Sequence, residues 1–158
     1  EALPSSGKVL QVKQVVKLDT ATTTSAHGTY ADISGMSLAI TPSASNSKIL
    51  VLVNGATSPA NNNYSIAVNL VRGSTSVFVA GSRGSSTRAS DGGLCQANQA
   101  TSVNISFLDS PNTTSATTYK LQMSIENGST ALFGGFNSSG ASSNISIPGS
   151  ITLMEVLA

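Results

Sequence analysis

The sequence predicts an all-β protein built from antiparallel sheets, and three observations carry that expectation. Apolar residues recur with a period of two almost everywhere along the chain. Short apolar blocks are separated by Gly, Pro, Asn and Ser, the residues that make turns. No segment of useful length shows helical spacing with caps. At 158 residues the chain has the usual size of one domain, and a single core can hold it. Residues 1–158 are read as one β-sandwich domain, with residues 1–7 an N-terminal extension or linker.

The strands follow in order. Leu10, Val12, Val16 and Leu18 share one face of a long first strand, with Lys13 and Lys17 on the other. Met36, Leu38 and Ile40 alternate with Ser37, Ala39 and Thr41 until Pro42 stops the strand. Ile49-Leu50-Val51-Leu52-Val53 is continuous and predicts a strand buried on both faces. Tyr64, Ile66, Val68 and Leu70 alternate next, and Arg72-Gly73-Ser74 turns the chain into Val77-Phe78-Val79, a β-hairpin. Val103, Ile105 and Phe107 form another strand, and Tyr119, Leu121, Met123 and Ile125 give the clearest alternation in the chain. Asn127-Gly128 turns into Ala131-Leu132-Phe133; Ile145 with Ile147, and then Ile151 to Val156, complete about ten short strands. That count with these turns is the pattern of a sandwich or barrel. Two long connections remain, Gly81 to Ala100 and Gly134 to Asn144, and connections of that length are usually functional or packed on a partner.

Composition narrows the function. Charged residues make up 9%, against roughly a quarter in ordinary domains. Ser and Thr supply more than a quarter of the chain, aromatics 4%, and Trp is absent. A hydrophobic fraction of 39% with a net charge of +1 is not the signature of disorder. A surface of hydroxyls and amides suits permanent packing beside copies of the chain, because little charge is desolvated. The eight Lys and Arg are interspersed with seven acids, so no basic patch forms for nucleic acid. No apolar run approaches the roughly 20 residues of a membrane helix, so no membrane insertion is expected. The chain opens Glu1-Ala2-Leu3-Pro4 without an initiator Met, and no basic or apolar leader is read there.

Several segments resemble the small C-terminal domains of bacteriophage tail-fibre and related virion proteins, of the kind carried by marine phages and cyanophages. The residues that carry the resemblance are Gly7 to Val12, Ser47 to Val51, Leu70 to Thr75, Ser106 to Pro111, Thr117 to Leu121 and Ser150 to Val156. These are framework strands and turns that span nearly the whole chain in order. The resemblance implies a jelly-roll-like β-sandwich, similar in strand order to the complement-globular and tumour-necrosis-factor-like trimers. It implies a homotrimer on a virion, made in the cytoplasm of a bacterial host, with other virion proteins and a host-surface glycan or protein as further partners. It transfers no ligand-contacting residues.

Candidate chemistry is sparse. Cys95 stands alone, which rules out a disulfide within the chain and reads as a small buried residue. The single histidine, His27, lies beside Gly28 in a turn-like stretch, and no Gly-x-Ser-x-Gly elbow is present. Glycoside hydrolysis needs paired carboxylates. Asp109, before Ser110-Pro111, reads as a turn former, Glu155 sits on the last strand, Glu126 at a strand end, and Asp91 in the long loop has no evident partner. Asp91-Gly92-Gly93 alone does not make a calcium loop. No cofactor is expected. Two loops could meet a receptor. Arg83 and Arg88 could present forked donors to an anionic or sugar-bearing surface, or pair with Asp91 or a neighbouring subunit. Asn61, Asn62, Asn63 and Tyr64 could read a glycan, or form a plain turn. Six Asn-x-Ser/Thr sequons follow from the composition.

The resemblance, with the lack of catalytic groupings, implies a non-enzymatic virion module, a homotrimeric tail-fibre or spike domain able to touch the host surface. A capsid decoration or head fibre is the related alternative. A secreted carbohydrate-binding module is the alternative of another class, and the lack of Trp argues against it.

Overall fold

The computed structural model describes residues 7–97, 99–136 and 144–157. Thirteen strands lie among them: β1 (Val9–Lys17), β2 (Ala21–Thr23), β3 (Ala31–Ile40), β4 (Lys48–Pro59), β5 (Tyr64–Arg72), β6 (Thr75–Ser76), β7 (Asp91–Cys95), β8 (Thr101–Asp109), β9 (Thr117–Ile125), β10 (Ala131–Phe133), β11 (Gly135–Phe136), β12 (Ile145–Ser146) and β13 (Gly149–Val156). One turn of 3-10 helix, Glu126–Gly128, follows β9. All the strand pairings are antiparallel.

Eleven of these strands form two sheets, of six and five, and β11 and β12 pair separately. One runs β1-β13-β4-β8, extended past the end of β13 by β10 and β2; the other runs β3-β9-β5, with β6 and β7 both pairing β5. The first and last strands are therefore neighbours, and the chain crosses between sheets in the double Greek-key winding of a jelly roll. The alternation read in the sequence sets the core between the sheets. Ile49, Val51 and Val53 of β4 and Ile151 and Leu153 of β13 face Ile66, Val68 and Leu70 of β5 and Tyr119, Leu121, Met123 and Ile125 of β9, all essentially inaccessible. At roughly 2 kcal/mol for each buried apolar side chain, this layer dominates the stability.

Several expectations need correction. Val77-Phe78-Val79 is not the second arm of the hairpin. Gly73, at φ 60, takes the first central position of a two-residue turn, and β6 then lasts only two residues. After the amide of Val77 bonds to the Leu70 carbonyl, the chain leaves the sheet, and Phe78 stacks on Phe107 of β8 at 4.9 Å. Apolar side chains that cover another strand give the same local pattern as a strand. Ile49 to Val53 is buried on one face only: Leu50 and Leu52 stay half-buried on the outside. β2, β7 and β11 carry no alternating apolar pattern in the sequence. In β7, Gly92 at φ 146 allows a backbone approach to Ile66 that any Cβ would block, and its two glycines erase the alternation. Asp109 is no turn former; it ends β8 and is 6% exposed. Of the expected N-terminal extension, residues 1–6 lie outside the described residues, while Gly7 is tied to the sheet through its amide to Leu157 O at 2.6 Å. Most of the second long connection, 137–143, also lies outside them; β11 and β12 pair at its two ends.

Candidate functional site

Two regions stand out, one on each sheet. On the outer face of the β1-β13-β4-β8 sheet the registers align side chains in rows across four strands. The first row is Val12, Met154, Leu50 and Leu108; the second is Gln14, Thr152, Leu52 and Ser106; the third is Val16, Ser150, Asn54 and Asn104. None of these twelve positions is charged. Val12 is 56% exposed and Leu108 48%, and Leu10, Val16 and Leu18 extend the apolar strip along β1. The apolar face of β1 thus points away from the core. Lys17, on its inner side, is buried, lies over Gly35 and pairs with Asp19 at 2.9 Å.

On the other sheet, the segment from Val77 to Ser90 lies against the outer face of β5 and buries Ala67 and Asn69. Besides the Val77 amide bond to Leu70 O, hydrogen bonds within the segment and to its neighbours hold it. Ala80 N donates to Ala89 O, Arg88 Nε to Ala80 O, the Tyr30 hydroxyl to Arg88 O, Ser90 N to Val68 O, and Leu70 N to Ser90 Oγ. Beneath it are two adjoining hollows of about 550 and 410 Å³ that share His27, Ser86 and Thr87. The first is floored by Ser65, Ala67, Gly92 and Gly93; the second is lined by Tyr30, Asn69, Ser76 and Arg88.

His27 sits where the hollows meet. Its Nε2 lies 3.0 Å from Ser65 Oγ and its Nδ1 3.2 Å from Ser124 Oγ. The Ser65 hydroxyl donates to Glu126 Oε2 at 2.9 Å, so His27 Nε2 is the donor to Ser65, while Nδ1 faces the Ser124 hydroxyl, which also bonds the Tyr30 phenol. Burial lowers the imidazole pKa, partly opposed by the Glu126 charge, and so favours the neutral ring. Bonds from the Ser65 amide and hydroxyl in turn lower the pKa of Glu126. The Ser65 hydroxyl thus donates its hydrogen bond to a carboxylate rather than to the imidazole, and Ser124 is fully buried.

The structure scatters the residues singled out from sequence. Arg83 is exposed, and its carbonyl accepts from Ser86 N in a turn. Arg88 is exposed and held by Ala80 O. Asp91 is not a loop residue: it opens β7, and instead of an arginine it accepts from Gly92 N and Asn104 N, each at 2.7 Å, linking β7 to β8. Asn61, Asn62 and Asn63 form an exposed turn, with Asn62 at φ 58 and Asn63 Oδ1 accepting from Ala97 N. Tyr64 belongs to β5, and its ring packs on the core rather than standing in a loop. Arg88 and Asp91 border the hollows; Asn61, Asn62 and Asn63 do not. Sequence reasoning missed Asn69, Ser65 and the role of His27, because their contacts come from positions 38 and 97 residues away from His27 and 7 away from Asn69. Cys95 is buried, with Sγ near Gly93 O, as expected. Among the described residues no group of three or more His, Cys, Asp or Glu could hold a metal, and no helix is long and apolar enough to cross a membrane.

The fold defines the class: an antiparallel jelly-roll sandwich. No family model and no curated protein matches the sequence. Among solved structures, a chain of infectious bursal disease virus, Gt strain, aligns over 99% of this chain with a TM-score of 0.53 and 11% identity. Chains of the Gx strain and of the T13 particle of the same virus align with TM-scores of 0.49 and 0.48. This chain spans only about 40% of the length of those chains. At 11% identity the likeness to the Gt-strain chain is a likeness of fold.

Proposed function

We propose that this chain is a non-enzymatic structural module of a virion that assembles with itself as a homotrimer and serves as a tail-fibre or spike domain. The observation that carries the reading is the uncharged outer face of the β1-β13-β4-β8 sheet. A row such as Val12-Met154-Leu50-Leu108 leaves apolar surface in water that a second copy would cover without desolvating a charge. Three such faces around an axis form a closed assembly in which every copy is equivalent. The shared fold with a viral chain and the resemblance of the framework strands to virion domains support placement on a particle. A capsid decoration would use the same face and differ only in what anchors it. The hydrogen-bond directions around His27, in which Ser65 donates to Glu126 rather than to the imidazole, support the non-enzymatic part.

The test is the solution mass of the purified chain, of 15.9 kDa, by light scattering on dilution, beside Val12→Lys and Leu108→Lys. The expected result is a mass three times that of the chain, falling to a folded monomer in the variants. A wild-type monomer, or a trimer indifferent to both substitutions, would overturn the reading.

A further inference from the structure

We propose that the two-lobed cleft beneath the Val77–Ser90 segment binds a neutral saccharide. It lies within one chain and on the other sheet from the apolar face, so it does not rest on the trimer reading. Its lobes, about 550 and 410 Å³, fall in the size range of small-ligand sites. Its walls are already held by the hydrogen bonds of the segment, so little ordering is required on binding.

The lining selects the ligand class. Hydroxyls of Ser65, Ser76, Ser86 and Thr87, backbone groups and one neutral imidazole surround the space. Asp91, the acid that borders it, has both oxygens engaged by backbone amides, so a cationic ligand finds no open carboxylate. Among the described residues Arg88 is the one Lys or Arg at the rim, with its Nε held by Ala80 O, a thin provision for an anion. Ala67, Gly92 and Gly93 give the first lobe a low apolar floor suited to the C–H face of a sugar ring, and Tyr30 supplies an aromatic ring in the second.

A second observation points the same way. Asn69 is 4% exposed and lines the second lobe; its Nδ2 donates to Ser76 Oγ at 2.7 Å, while its Oδ1 has no partner. Turning the amide over would satisfy the oxygen from Ser76 and orphan the nitrogen instead. A buried polar atom without a partner is costly. The orphaned atom is itself covered, so a ligand meets it once the Asn69 side chain turns toward the lobe; a sugar hydroxyl, which donates and accepts, then suits either amide orientation, and a purely anionic or apolar ligand does not.

The experiment is a titration of the ¹⁵N-labelled chain with glucose, galactose, mannose and N-acetylglucosamine, with sialic acid as the anionic comparison, followed by amide chemical shifts. The expected result is saturable shifts from one of the neutral sugars. They are confined to residues 65–69 and 85–93 and the Asn69 side-chain amide, and weakened at least tenfold in Ser86→Trp and in Asn69→Ala. Ser86 is exposed, so the Trp variant keeps the fold while obstructing both lobes. Shifts from sialic acid alone, shifts elsewhere, no shifts, or shifts that survive both substitutions would each overturn the proposal.

Discussion

The phenol of Tyr119, on β9, donates to Asp109 Oδ2 on β8 over 2.6 Å, and so joins one sheet of the sandwich to the other. The same oxygen accepts Arg72 Nη1 at 2.7 Å, from β5. Burial first, then the bond to Asp109, raise the Tyr119 pKa far above the usual phenol value, so the donor keeps its proton through the alkaline range. Tyr119→Phe is expected to cost about 2 kcal/mol, the worth of a hydrogen bond to a charged group. Asp109→Ala, which strands a buried phenol and a guanidinium, is expected to cost about 3–5 kcal/mol. Equilibrium urea unfolding measures both; an Asp109→Ala loss no larger than that of Tyr119→Phe would show that the clasp is not shared.

Glu155 predicts acid sensitivity. It is buried without a cation, and burial alone would raise its pKa. Gln11 Nε2 at 2.6 Å and the Ser43 hydroxyl and amide, both at 2.7 Å, outweigh that and bring it to about 2 from the usual 4.5. A lowered carboxylate stabilises the fold above its unfolded pKa and loses that contribution as pH falls through the folded one. Stability should therefore drop between pH 4.5 and about 2, and Glu155→Gln should flatten that slope while lowering stability at neutral pH. Thermal midpoints across the acid range decide it; parallel curves for the two proteins would contradict it.

Phe133 is sandwiched between two glycines. A Cβ at Gly55 or at Gly149 would come within 3.0 Å of its fully buried ring. Neither glycine has a left-handed φ, so the constraint is space rather than backbone. Gly55→Ala and Gly149→Ala are each expected to cost about 1–3 kcal/mol by overpacking. In a Phe133→Leu background the same Ala substitutions should cost markedly less, as denaturation midpoints would show; equal costs in both backgrounds would remove the ring as the cause.

The apolar face predicts how assembly responds to salt. With no charge in the three rows, the subunit contact should hold or strengthen up to about 1 M salt, where screening dissolves charge-based contacts. Sedimentation at low and high salt measures this. Dissociation at high salt would mean that charged loops, and not this face, hold the copies together.

The fold class and most of the core were legible in the sequence by itself. Period-two runs such as Tyr119-Leu121-Met123-Ile125 and Ile151-Leu153 can only be strands with one buried face, and turn residues mark where they end. Periodicity does not say which face is buried, and on β1 the apolar face turned outward while Lys17 turned in, because an edge strand is placed by its pairing with β13. Nor could it separate a strand from the apolar segment Val77 to Val79, whose role is to cover β5 and β8. The contacts that make the cleft and the clasps, His27 with Ser65 and Ser124, Tyr119 with Asp109, Glu155 with Gln11, join residues 10 to 144 apart in the chain. Only the winding of two sheets over one core brings them together. Such pairings depend on strand order and register, which are decided by the packing of the whole chain and not by any local run of residues.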